Sequence, residues 1–349
     1  MKKVYILIVN YNNWQDTIEC LESVYKSNYP NFQIIVVDND STDGSVVNIK
    51  KWSQGEINVV ISQTNLLQHL SSPSIKKPFP LVEYNNQYVL LSGKEDSNNL
   101  ILINSGKNFG FAYGNNIGLK FIQAKNDYEY IYMLNNDTVI EKNTLTNLVD
   151  FKVALSKNEK VGMLGSKLLY YDNPDLIQGL GGKYNKFFAL ATKVGENTQN
   201  ENGSVSEPNK IDFVIGAAML ISRDFLRDVG LMCEEYFIYF EEIDWATRAK
   251  KAGYTVSYCP NSNVYHKEGR TTGGVNVNKS ELADYFGVKN RIVFTRKFYP
   301  FLLPLVYVFF IGIILNRARR FQFERIGLIF KILFKMPVSY EKLLKKNRL

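Results

Sequence analysis

Residues 4–45, VYILIVNYNNWQDTIECLESVYKSNYPNFQIIVVDNDSTDGS, decide the fold. The run Val4–Val9 is apolar and stops at asparagines; Trp14, Ile18, Leu21 and Tyr25 then recur on one helical stripe, and residues 33–38 form a second apolar run ending in Asp38. Strand, helix, strand at this spacing predicts two parallel strands with a crossover helix, the unit of an α/β sheet. A further helix over 43–52 and a strand over 57–62 (INVVIS) continue the rhythm. In such sheets ligands bind beyond the carboxyl ends of the strands. Asn10-Tyr11-Asn12 and the segment opening at Asp38 stand at those ends.

Working outward, residues 63–99 break the alternation with Ser, Pro, Asn and Lys and read as an inserted hairpin or loop. The pattern resumes with a strand at 100–104, a helix holding Ile117, Leu119 and Phe121, a strand at 130–134 ending in Asn135-Asn136-Asp137, a helix near 143–155 and a strand at 161–164. Residues 195–209 read as an exposed loop and 211–222 as a strand. A helix over 242–252 follows, with Glu241, Glu242 and Asp244 crowded at its start. Acids in a first turn face the positive end of the helix dipole, a gain of roughly 0.3–1 kcal/mol each, so their presence alone asks for no function.

The chain has 349 residues, 45% hydrophobic and 22% charged, the composition of a globular protein with a full core. Cys20, Cys233 and Cys259 lie far apart without a CxxC pair, which suggests neither a disulfide framework nor a zinc site. The first apolar run is too short for a secretory leader, so a reducing, cytoplasmic setting is expected. The net charge of +8 is uneven: from Tyr285 onward 14 Lys/Arg oppose two Glu, a net of +12, leaving −4 for residues 1–284. That basic end also holds the longest apolar run, 298–316, a pairing that fits a membrane surface and not nucleic acid. The 17 uncharged residues Tyr299–Leu315 span about 26 Å as a helix, against a hydrocarbon core of about 30 Å. With Pro304 near the start and cations at both ends, the expectation is an embedded or hairpin segment with a basic skirt, on the cytoplasmic side. The expected organisation is one α/β domain over 1–284, with 63–99 inserted, and a membrane-associating region over 285–349.

Carboxylates at two strand ends suit a nucleotide with a cation. Asp38 can accept a ring N–H of a pyrimidine, and Asp137 is a hard oxygen ligand for Mg2+ or Mn2+. Turn and cap formation are the competing roles for both. There is no GxxxxGK[ST], and Gly106, Gly110 and Gly114 are spaced every fourth residue instead of as GxGxxG, so a P-loop or dinucleotide site finds no support.

Seven stretches in order, VNYNN, VVDNDSTDGS, NFGFAYGNNIG, LNNDT, GAAMLIS, YFEEIDWATRAKKAGY and VYHKEG, spread over residues 8–269, resemble the inverting glycosyltransferases of family 2, and within them the rhamnosyltransferase-like branch. The resemblance implies a GT-A nucleotide-sugar fold with a mostly parallel sheet. It implies nucleotide-sugar binding by Val9, Asn10, Tyr11, Asp38, Asn108, Gly110, Phe111, Asn115, Asn135 and Asn136, and metal binding by Asp137 and His266. It further implies that Glu242 is the general base and that Gly216, Glu241, Asp244 and Trp245 serve the acceptor. Asn135 replaces the first acid of the family's D-x-D motif, and Glu242 stands where the family has Asp. The implied donor is a thymidine or uridine diphosphate sugar, rhamnose first; the implied acceptor is a glycan or lipid-linked saccharide in cell-surface polysaccharide synthesis. A nucleotidyltransferase would need a basic glycine-rich loop near the N-terminus, which is absent. A non-catalytic carbohydrate-binding or scaffold protein of the same fold is the alternative from another class.

Overall fold

The computed structural model describes residues 1–58, 65–93, 100–200, 210–267, 281–336 and 338. Its elements run β1 (Val4–Asn10), α1 (Trp14–Tyr25), β2 (Phe32–Asp38), α2 (Ser45–Gln54), α3 (Gln68–Ser71), β3 (Leu81–Asn85), β4 (Leu90–Ser92), β5 (Leu100–Asn104), α4 (Phe111–Lys125), β6 (Tyr130–Asn135), β7 (Thr138–Ile140) and α5 (Thr144–Leu155). They continue with β8 (Val161–Tyr170), β9 (Ile177–Gly179), β10 (Gly182–Asn185), β11 (Leu190–Lys193), β12 (Ala218–Ser222), α6 (Arg223–Val229), α7 (Glu241–Lys251), β13 (Thr255–His266), α8 (Glu281–Phe298), α9 (Leu303–Arg319) and α10 (Phe323–Leu333).

The main sheet has the order β4-β3-β5-β2-β1-β6-β12-β8-β13-β7. Strands β3, β5, β2, β1 and β6 are mutually parallel, and antiparallel β12 joins them to the second half. The register matters for function: Asn10 lies opposite Asp38, Asp38 opposite Asn104, and Val9 opposite Asn135, so the carboxyl ends of four strands finish level. The expected insertion contributes a hairpin, β3 and β4, which extends the sheet edge. The strand expected at 57–62 falls mainly outside the described residues.

Alternation along β1 sorts its side chains by face. Tyr5 and Leu7 pack with α4, α7 and α8 in one core, while Val4, Ile6 and Ile8 pack with α1, α2 and α5 in the other. Residues 211–222 depart from expectation: only Ala218–Ser222 is strand, and 211–217 runs irregularly, with Phe213 bonded to Gly182 and Ile215 to Ala217 bordering a cavity. An apolar run without alternation does not distinguish a strand from a buried loop.

The boundary expected after residue 284 falls inside α8. Phe294 of that helix is buried in the first core and Phe286 is buried against Phe237, each contributing roughly 1.5–3 kcal/mol of burial free energy. Helices α9 and α10 instead share a small cluster with α8 and the β10–β11 connection, formed by Ala189, Val288, Ile292, Val306, Phe310 and Ile329. They are tethered by Arg317 and Arg325, which both pair with Asp284 at 2.6 and 3.2 Å. Pro300–Arg319 is long and apolar enough to cross a membrane, with mean hydropathy 2.0, and most of it is exposed, including Phe301, Val308, Ile311 and Leu315.

Candidate active site

The level strand ends open onto a cavity of about 510 Å³ closed on its far side by α7 and α8. At the strand ends polar side chains bind one another. Asn10 is fully buried, and its amide donates to Asp38 Oδ1 at 2.7 Å and to Ser41 Oγ at 3.0 Å, while its oxygen accepts from Thr17 Oγ1 at 2.6 Å. Asp38 also accepts from the Ser41 amide at 3.0 Å; burial raises its carboxyl above the ordinary range, and these bonds oppose that rise. Both side chains therefore stand behind the wall and brace the 39–41 turn. The lining residue is Asn39, not singled out by the sequence motif, whose amide donates to Asn108 Oδ1 at 3.0 Å and to the Gly110 carbonyl at 3.1 Å.

Gly110 is required by space: its φ is +98°, and a Cβ would meet the Phe237 carbonyl oxygen at 2.1 Å. That approach lets the Phe111 amide donate to the same carbonyl at 2.7 Å, joining the α4 terminus to the segment before α7. Asn108, Gly110 and Phe111 line the cavity. Asn115 does not: it is buried and donates to the Phe111 carbonyl at 2.9 Å.

Val9, Tyr11, Asn135, Asn136, Asp137 and His266 form the next part of the wall. His266 Nδ1 meets Gln178 Oε1 at 2.7 Å, and the Gln178 amide donates to the His266 carbonyl at 3.3 Å, which sets that oxygen as acceptor and Nδ1 as donor. Nε2 then faces Asp137 Oδ1 at 3.1 Å. Burial would raise the Asp137 carboxyl, but the imidazole holds it below the ordinary range. Two lone-pair donors converging this closely need a proton or a cation between them. Among the described residues no third His, Cys, Asp or Glu completes a metal cluster. The pair still fits Mg2+ or Mn2+, which commonly take one or two protein ligands and complete their shell with phosphate oxygens and water. Lys267, the next residue, forms buried ion pairs with Asp16 and Glu19 of α1 and so seats the end of β13.

The three acids of α7 have different environments. Asp244 is fully buried and accepts from Tyr236 Oη at 3.0 Å, Arg248 Nε at 2.6 Å and Lys297 Nζ at 2.6 Å. It is saturated and absent from the cavity wall, and its bonds brace α7 against α8. Trp245, expected beside the acceptor, is likewise fully buried, its indole donating to the Gly230 carbonyl at 2.8 Å. Glu241 and Glu242 line the cavity. Both Glu241 carboxylate oxygens are buried without a hydrogen-bond partner among the described residues, and burial followed by the neighbouring Glu242 drives its carboxyl well up. Burial lifts Glu242 to about 7, the range in which a carboxylate can accept and release a proton near neutrality. Gly216 also lines the cavity. So does Arg291 of α8, missed because its segment was grouped with the basic tail; burial lowers its pKa.

A mixed sheet whose parallel half ends in a polar cavity lined by carboxylates is the α/β arrangement of the GT-A glycosyltransferases. Residues 5–69 match the model of Glycosyl transferase family 2. The chain is 21% identical over 166 residues to the low-salt glycan biosynthesis hexosyltransferase Agl10 of Haloferax volcanii, covering 48% of this chain and 51% of that one. It is 24% identical over 238 residues to the dTDP-rhamnosyl transferase RfbF of Shigella flexneri, covering 66% and 75%. The chain thus spans about half the length of the first relative and three quarters of the second. In structure it is similar to the mannosyltransferase PcManGT from Pyrobaculum calidifontis, solved in complex with GDP-Man and Mn2+, at TM-score 0.50 and 13% identity, covering 96% of this chain and 87% of that one. By these likenesses residues 5–69 resemble glycosyl transferase family 2, and rhamnosyl- and hexosyltransferases are among the proteins to which the chain is similar.

Proposed function

We propose that this protein transfers a sugar from a nucleoside diphosphate sugar to a hydroxyl of a lipid-linked saccharide, with inversion at the anomeric carbon. The observation that carries the reading is the pairing of Glu242, unusually basic for a carboxylate, with level strand ends across one cavity. The nucleoside lies along Val9, Tyr11, Asn39 and Asn108 to Phe111, and the diphosphate along Asn135 to Asp137 and His266. Glu242 takes the proton from the acceptor hydroxyl as its oxygen attacks the anomeric carbon from the face opposite the departing diphosphate. One C–O bond forms as the other breaks, so the configuration inverts without a covalent enzyme intermediate. Asp137 and His266 would hold Mg2+ or Mn2+, which supplies charge neutralisation on the leaving diphosphate. The exposed apolar face of α9 and the basic segments around it support docking on the cytoplasmic face of a membrane, bringing the lipid-linked acceptor to the cavity.

Thermal-shift screening of thymidine and uridine diphosphate sugars with Mn2+ tests the donor assignment, because binding raises stability by RT ln(1 + [L]/Kd). Thymidine diphosphate rhamnose is expected to give the largest shift, ahead of uridine diphosphate galactose or N-acetylglucosamine. Absence of any shift across the panel would overturn it.

A further inference from the structure

The segment that delivers Glu242 is held in an unfavourable backbone. Phe237, Tyr239 and Phe240, none of them glycine, have φ of +67°, +68° and +79°. Such backbone is strained in a residue with a Cβ and persists only when its surroundings over-determine it. The largest restraint comes from α8. The Asn290 side chain is fully buried, and its Nδ2 donates to the carbonyls of Tyr236 at 3.0 Å, Ile238 at 2.8 Å and Tyr239 at 2.9 Å. Three acceptors converge on one nitrogen, so the amide orientation is dictated by chemistry: an oxygen there would face three carbonyl oxygens. On either side, Phe237 stacks on Phe286 of α8 at 4.8 Å with planes 9° apart, and Phe240 accepts from the Asp244 amide at 2.8 Å.

We infer that Asn290 is a positioning residue for the transfer reaction, holding the 236–240 segment in the conformation that points Glu242 into the cavity. The inference rests on Glu242 being the base. Neither an apolar side chain, which supplies no donor, nor an aspartate, which would put carboxylate oxygens against three carbonyls, can replace Asn290. The active site is thereby tied to the same helix that carries α9 and α10, and a displacement of α8 would move the base.

The experiment compares full-length wild type, Asn290→Ala, Asn290→Ser and Glu242→Gln, with Mn2+ and the donor that gives the largest thermal shift. For each, kcat and donor KM are measured between pH 5 and 9, together with amide hydrogen exchange of 236–242. Loss of Asn290 is expected to lower kcat by about 10²-fold, the effect of a misplaced reacting group, with donor KM unchanged. The acid limb should also move to lower pH as water reaches Glu242, which shares its cavity with Glu241 on the same helix, Asp137 and His266 from the strand ends, Lys193 from β11 and Arg291 from α8. Exchange in 236–242 should quicken while the β1 to β6 strands stay protected. Asn290→Ser, which retains one donor, should fall between. Unchanged kcat and limb, a rise in KM alone, or failure of both variants to fold would overturn the inference, the last because it would make Asn290 a general fold-holding group. Undiminished transfer by Glu242→Gln would instead overturn the base assignment.

Discussion

The two ends of the cavity treat polar groups in opposite ways. At the strand ends, Asn10, Asp38, Asn108 and Asn136 are bonded to one another, to neighbouring side chains and to backbone, so they hold shape, and Asn39 joins them through its amide while its oxygen has no partner among the described residues. At the α7 end, Glu241 lacks a hydrogen-bond partner among the described residues, and Glu242 beside it is raised by burial. Asp244, three residues from Glu241 in the same first turn, has three partners and belongs to the satisfied class. The contrast shows that residue type and proximity do not set the environment here; what separates Asp244 from Glu241 is whether its desolvation has been compensated.

The contrast can be broken at several points. The largest effect should come from Asp137→Ala, which removes the anionic half of the Asp137–His266 pair. Transfer should fall by at least about 10³-fold, the equivalent of several kcal/mol of lost charge stabilisation, and stimulation by Mn2+ should vanish. Full Mn2+-stimulated turnover would place the cation elsewhere. Asp38→Ala, on the satisfied side, should act through structure: Asn10 and the Ser41 amide lose an acceptor, the 39–41 turn loosens, and donor affinity drops by about tenfold with a smaller change in kcat. Titration of the donor into the variant by calorimetry measures this, and an affinity equal to wild type would exclude Asp38 from the donor end.

Glu241→Gln sharpens the comparison from the unsatisfied side. A carboxyl whose folded pKa lies above its unfolded value contributes stability while protonated and loses it as pH rises from the unfolded pKa through the folded one. Wild type should therefore lose melting temperature between pH 5 and 8 relative to Glu241→Gln, the variant being the more stable at pH 8. Parallel curves would mean that the carboxylate is compensated after all. The smallest effect on chemistry belongs to the α9 face: Val308→Ser, Ile311→Ser and Leu315→Ser together should weaken flotation with anionic vesicles while leaving donor hydrolysis unchanged. Undiminished flotation would move the membrane contact to another surface.

Much of the first end was legible in the sequence, and less of the second. Strand ends announce themselves because period-2 and period-3.6 patterns switch there, so Asn10, Asp38 and Asn135 to Asp137 stand out before any coordinates. Which of them faces the cavity did not follow: Asn39 lines it while Asp38 and Asn10 brace it, a difference set by side-chain hydrogen bonds. Asn115 and Trp245 were placed by motif, but both turn inward to backbone carbonyls. Helix α8 was hidden because its cations blend into the basic tail, although Phe286, Asn290 and Phe294 make it part of the core. The positive φ values at Phe237, Tyr239 and Phe240 have no local signal, since aromatic residues carry no preference for them and only tertiary contacts impose them.

The central claim is that Glu242 is the proton acceptor in a single displacement. Glu242→Gln preserves shape and removes the base, so its transfer rate and its donor affinity should be measured together in the full-length protein. The expected result is a loss of transfer of roughly 10²–10⁴-fold with donor affinity intact, and absence of the rise in rate through pH 7 expected of wild type. Transfer within a few fold of wild type, with that rise retained, would contradict it.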